Sequence, residues 1–222
     1  MMLGARTGAW SGKALPYDEE VEDLESVPVG NESTMPLTYI DTGIKSKTPI
    51  TVTVDCELVT LMRNSMIFGS RSSTDGRVQF GTSGNNGGTS AVDMSIGYGR
   101  VTNLNFLPTN GFHRYEIEFG QQTTVRYDDD LKLSEIRSLF SSDLTLWMFA
   151  SNAFNGVYGA FSKMRISSFS VSTAGYLAFD SIPVRFSNEN GVSEGAMYDR
   201  VSGKLFGNAG TGAFIIGPDK TT

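Results

Sequence analysis

Residues Gly111–Asp130 read GFHRYEIEFGQQTTVRYDDD, and the order of charged and apolar residues in them decides the fold class. Strand side chains alternate between two faces. On an extended chain Phe112, Arg114, Glu116 and Glu118 therefore share one side, and His113, Tyr115, Ile117 and Phe119 the other. One side is mostly charged and the other mostly apolar, the mark of a half-buried strand. Gly120-Gln121-Gln122 interrupts the pattern, Thr123–Tyr127 resumes it, and three aspartates end it. That sequence of events predicts a hairpin lying on a core.

The rest of the chain agrees with an all-β reading. It has 222 residues, 39% of them hydrophobic, with 25 glycines against seven prolines. Short apolar runs between glycines favour many strands joined by turns over a helical protein. The net charge is −6, and Asp18, Glu19, Glu20, Glu22, Asp23 and Glu25 cluster near the start. Phosphate binding needs a basic face, so nucleic acid is excluded as partner. No run of eighteen apolar residues exists, so no membrane span is expected, and no signal peptide is seen, so synthesis in the cytoplasm is expected. Cys56 is the only cysteine and alternates with Ile50, Val52, Val54 and Leu58, which reads as a small buried hydrophobe.

In chain order, residues 1–18 are rich in Gly, Ala and Ser and form a flexible N-terminal arm whose Leu3 and Trp10 could dock on a partner. Val21–Ser26 is a helical turn or an opening strand, and Val27–Pro36, with two prolines, is a loop. Leu37–Ile44 and Pro49–Thr60 read as strands; Ser65–Ser70 and Arg77–Gly81 form a hairpin. Gly81–Ser90 is a surface loop that lacks the spacing of phosphate-binding loops. Ala91–Tyr98 is a strand and Asn103–Asn110 a loop. Ser134–Phe140 places Ile136, Leu139 and Phe140 at helical spacing, which predicts one short helix. Leu144–Ala150 is apolar on both alternations, so Trp147 is read as core. The boundaries that follow are an arm over 1–18, a sandwich over 19–218 and a tail over 219–222.

Two resemblances follow from particular stretches. Phe112–Phe119 with Val125–Asp129 resembles the hairpin of concanavalin A-like jelly rolls, which include laminarinase-type hydrolases and laminin-G-like lectin domains. Tyr39–Ile44, Lys163–Phe169, Ile182–Arg185 and Met197–Phe206 occur in the order seen in laminin-G-like modules encoded by gut bacteria and their phages. Asp23-Leu24-Glu25-Ser26 matches the opening of those modules, which favours the strand at Val21–Ser26. The resemblance implies two antiparallel sheets with first and last strands adjacent, and a lectin-like role in a virion or surface assembly. The arm would contact other proteins of that assembly.

A jelly-roll hydrolase would carry a triplet of acids on one strand. Glu116 and Glu118 are the nearest approach, about 7 Å apart along the strand, and a cleaving pair needs a partner across the sugar. The chain is therefore read as non-catalytic. One histidine and one cysteine rule out multi-histidine zinc sites and thiolate clusters. Calcium at Asp128, Asp129 and Asp130 is the one cofactor left open. A glycan site needs an aromatic face and short polar side chains. The candidates are Tyr98, Asn103 and Asn105 on one connection, and Asn152, Phe154, Asn155 and Tyr158 on another.

Overall fold

The computed structural model describes residues 15–27, 38–73, 76–84, 92–98, 100–153, 156–158 and 163–221, with the backbone alone at 84, 92 and 156–158. Leu3 and Trp10, most of the loop over 27–36, Phe154 and Asn155 lie outside them. The strands in chain order are β1 (Glu19–Glu20), β2 (Leu24–Glu25), β3 (Ile40–Lys47), β4 (Ile50–Leu58), β5 (Met66–Arg71), β6 (Arg77–Gly84), β7 (Val92–Tyr98), β8 (Arg100–Asn103), β9 (His113–Phe119) and β10 (Gln122–Tyr127). There follow β11 (Asp130–Ile136), β12 (Ser141–Met148), β13 (Ser151–Ala153), β14 (Gly156–Tyr158), β15 (Met164–Thr173), β16 (Tyr176–Ser187), β17 (Ser193–Asp199), β18 (Lys204–Phe206) and β19 (Ile215–Ile216). No helix occurs among the described residues.

The apolar rows read from the sequence meet in register. Val54 lies opposite Tyr115, Val52 opposite Ile117 and Ile50 opposite Phe119, because β4 and β9 are neighbours. The larger sheet runs β11-β10-β9-β4-β15-β16-β17-β18, with β1, β2 and β19 attached. The smaller runs β14-β13-β5-β6-β7-β8, with β12 and β3 beyond β5. The chain changes sheets repeatedly: β4 is followed by β5–β8 in the smaller sheet, β9–β11 in the larger, β12–β14 in the smaller and β15–β18 in the larger. All pairings are antiparallel except the short parallel one between β13 and β5. The expected adjacency of the ends is present, since Ile215 pairs with Glu25 and Ile216 with Leu24.

Phe68 of the smaller sheet meets Phe119 and Phe169 of the larger edge-on, at 6.1 and 5.7 Å between ring centres. Such contacts join the sheets into an all-β sandwich with a single principal core. Cys56 is fully buried in it, and burial pushes its thiol well above the ordinary range, so no reactive thiolate forms there.

Three expectations are corrected. Ser134–Phe140 is not a helix: β11 continues through Ile136, pairing Leu133 with Val125 and Ile136 with Gln122. Hydrogen bonding to β10 overrides a helical spacing only three residues deep. The loop at Gly81 begins later, because β6 pairs with β7 as far as Gly84. Trp147 does not join the principal core: it belongs to a separate cluster with Tyr39 and Ala150.

Candidate functional site

Leu146 and Met148 point into the core, so alternation turns Trp147 to the outward face of the smaller sheet. Strand pairing then sets one row across that face: Asp41, Trp147, Gly69, Gln79, Gly97 and Val101. The two glycines leave a floor over which Gln79 lies. A Cβ on Gly69 would sit 2.5 Å from Cβ of Gln79 and 2.9 Å from Oγ of Ser151. A Cβ on Gly97 would sit 2.5 Å from Cγ of Gln79. Trp147 stacks on Tyr39, with ring centres 4.3 Å apart and planes at 28°. Tyr39 is fixed by its N–H, which donates to Oδ1 of Asn208 at 2.9 Å. Burial raises the Tyr39 phenol above its usual range, with Asp41 adding to the effect.

Ser151 reaches this row through a strained corner. β12 occupies the edge of β5 as far as Met148, and the N–H of Phe149 then donates to the carbonyl of Ile67 at 2.7 Å. Phe149 takes φ 66°, a left-handed conformation that is an outlier for a bulky residue and costs on the order of 1–3 kcal/mol. The turn returns the chain to the same edge, where Asn152 pairs with Ser70 in parallel. Ser151 is thereby set beside Gly69.

Three atoms of this cluster, Trp147 Nε1, Gln79 Oε1 and Ser151 Oγ, are buried with no hydrogen-bond partner among the described residues. They are a donor, an acceptor and a hydroxyl that can act as either. Native interiors leave few such groups, and each one calls for a physical explanation. Here they surround one glycine floor beside an aromatic pair.

The residues expected from sequence are not gathered in one place. Tyr98 is a core residue, 2% exposed, with its ring edge-on to Phe119 and its hydroxyl donating to Thr48 at 3.1 Å. It alternates with the buried Met94 and Ile96, so it presents no open ring face. Asn103 ends β8 and hydrogen-bonds to Ser83; Asn105 is exposed with φ 55°. Asn152 donates to the carbonyl and hydroxyl of Thr145 at 3.3 and 3.2 Å. Asn103 and Asn152 pair at opposite ends and opposite margins of the β13-β5-β6-β7-β8 array. The strand spacings put them on the order of 20 Å apart, too far for one small sugar. Tyr158 belongs to β14, and its backbone pairs with Ser151 beside the glycine floor. Composition gave no signal for Gln79, and only the pairing of β5, β6 and β12 finds it.

The acids expected to matter are otherwise engaged. Asp128 and Asp129 form a two-residue hairpin turn, with φ 47° and 68°. Oδ1 of Asp128 accepts the N–H of Arg114 at 2.9 Å and Oδ2 meets Nδ1 of His113 at 2.6 Å. Asp130 pairs with Lys132 at 2.7 Å. Among the described residues no three His, Cys, Asp or Glu are placed to hold a metal ion. Asp41 accepts the Gly43 N–H and Arg185 meets Asp219.

Thr109, His113 and Asp128 follow the hydrogen-bond order of a hydrolytic triad, since His113 Nε2 lies 3.0 Å from Oγ1 of Thr109. That nitrogen is also 3.0 Å from the Thr109 carbonyl, which can only accept. Thr109 thus meets the ring through both its hydroxyl and its carbonyl. The ring also lies against Tyr127, 4.8 Å between centres, so the group acts as a latch between the 104–112 connection and the hairpin.

No protein-family model matches the chain, and no curated protein does. Among solved structures, domain 4 of AbnA, a GH43 extracellular arabinanase from Geobacillus stearothermophilus in complex with arabinotriose, is similar over 57% of this chain. The match has 11% identity and a TM-score of 0.35 and spans 63% of that domain, less than two thirds of its length. A likeness at that level carries no argument about ligand or activity.

Proposed function

We propose that this chain is a non-catalytic, lectin-like module with a concanavalin A-like jelly-roll fold, and that it binds a saccharide on the outward face of its smaller sheet. The observation that carries this reading is the trio of buried, partnerless polar atoms on Trp147, Gln79 and Ser151 beside the Trp147–Tyr39 stack. A pyranose offers hydroxyls that both donate and accept and a C–H face that packs on an aromatic ring, so it complements such a set. In this reading the module belongs to a virion or surface assembly, attached through residues 1–18, as the resemblance to phage-encoded laminin-G-like modules implies.

Gln79 and Ser151 are screened from solvent, at 4% and 0% exposure. A saccharide reaches them only by displacing what lies over them, so association is expected to be slow, below about 10⁵ M⁻¹s⁻¹. The test is a glycan array of host polysaccharides and mucin glycans followed by calorimetry. One polysaccharide class should bind, and Trp147→Ala and Gln79→Ala should each weaken it by about tenfold or more. Silence across the array, or binding indifferent to both variants, would sink the proposal.

A further inference from the structure

An asparagine followed by glycine loses its side-chain amide without an enzyme when the backbone between them is free to turn. Two such pairs lie wholly within the described residues, Asn110-Gly111 and Asn190-Gly191, and both asparagines are exposed. Their backbones differ. In the turn between β16 and β17 the Gly191 N–H donates to the Asn188 carbonyl at 2.8 Å. Oδ1 of Asn188 accepts the N–H of Asn190 at 2.9 Å and that of Val192 at 3.0 Å. The three consecutive N–H groups from Asn190 to Val192 are therefore all held. In the connection before β9, neither the Asn110 side chain nor the Gly111 N–H has a hydrogen-bond partner among the described residues. Gly111 takes φ 104°, and nothing lies within 4 Å of where its Cβ would be.

We propose that Asn110 is a site of spontaneous deamidation, with water as co-reactant, and that the reaction releases the latch at His113. The Gly111 peptide nitrogen, having lost its proton to solvent base, attacks Cγ of Asn110. One C–N bond forms, the C–N bond of the side-chain amide breaks, and ammonia leaves with a proton from solvent. The product is a five-membered succinimide, which water opens at either carbonyl to aspartate or isoaspartate; nothing is oxidised or reduced. An N–H already given to an acceptor parts with its proton less readily, and the turn that holds it must open before its nitrogen can swing toward the side chain. Glycine, lacking Cβ, leaves room for the approach. Asn110 meets these demands and Asn190 does not. Thr109, the preceding residue, meets His113 Nε2 through its hydroxyl and its carbonyl, each at 3.0 Å. Isoaspartate adds a carbon to the main chain beside Thr109, and either product adds a negative charge there, so Thr109 is displaced from the ring.

The test ages the folded full chain at mildly alkaline pH. Trypsin then yields Val101–Arg114 and Phe186–Arg200, each carrying one of the two pairs. Mass spectrometry should find NH2 replaced by OH at Asn110, in aspartate and isoaspartate forms, at least about tenfold faster than at Asn190. In urea the two rates should converge, because the Asn188 hydrogen bonds are gone. His113 is the only histidine, so its ring gives one set of proton NMR signals, and ageing should add a second set in step with the modified peptide. An Asn110→Gln chain should show neither change. An unreacted Asn110, equal rates in the folded chain, a gap that persists in urea, or histidine signals that do not follow the modification would overturn the inference.

Discussion

Ser151→Ala separates a ligand-binding role from a packing role more cleanly than any other change. Its hydroxyl is buried, has no partner among the described residues, and sits beside the glycine floor. Leaving such a group unmade costs about 1–3 kcal/mol. Deleting it leaves a gap of one oxygen, a few tenths of a kcal/mol at about 24 cal/mol per Å³. The free protein should therefore gain about 1–2 kcal/mol, which for a chain of this length is a rise in Tm of roughly 2–8 °C. Saccharide affinity should move the other way and fall by about tenfold, the worth of one good hydrogen bond at 1.4 kcal/mol. Differential scanning fluorimetry and calorimetry of the same samples measure both. A fall in Tm of more than about 2 °C would show that the hydroxyl is already satisfied within the protein, and the reasoning from orphaned groups would fail with it.

Gly97→Ala should displace the buried Gln79 and Arg77, whose side chains lie 2.5 and 2.7 Å from the new Cβ; it should cost about 1–3 kcal/mol and lower saccharide affinity, as urea unfolding and calorimetry would show. Burial alone would raise the Asp128 carboxyl, but the Arg114 N–H and the His113 ring outweigh it and hold it below the usual range. Its contribution is thus present above the ordinary carboxylate pKa and lost as pH falls through the depressed value. Asp128→Ala should cost about 1 kcal/mol at pH 7, allowing for its half-exposed side chain, and urea unfolding should show the gap from the parent closing toward pH 2. Asp129→Gly relieves a left-handed φ of 68° in an exposed turn and should stabilise by about 0.5 kcal/mol in the same assay. Incubation with polysaccharides should release no reducing ends, and Glu116→Gln and Glu118→Gln should leave that baseline unmoved; release that drops in either variant would restore the hydrolase reading.

Alternation made much of the sandwich legible in advance. The rows Ile50, Val52, Val54, Cys56 and Tyr115, Ile117, Phe119 each fix a core face by period alone, and they are buried as such. The same logic placed His113 on the packing side, where its ring lies on Tyr127. It misled where a pattern was short or doubly apolar. Ile136, Leu139 and Phe140 share a helical spacing that arises because a strand ends and the chain bends, and Trp147 sits in a run too apolar to show which neighbour faces out.

Local sequence by itself determined that the chain builds half-buried strands and where several of them turn. Period-two patterning acts within one strand, so it is written in consecutive residues. Strand order decided the rest: Tyr39, Gln79, Trp147 and Ser151 come from separate strands and loops, and only the pairing of β12, β5 and β6, with the corner at Phe149, sets three unsatisfied polar atoms around one glycine floor. Which residues meet across a sheet depends on long-range hydrogen bonding, and no window of sequence contains it.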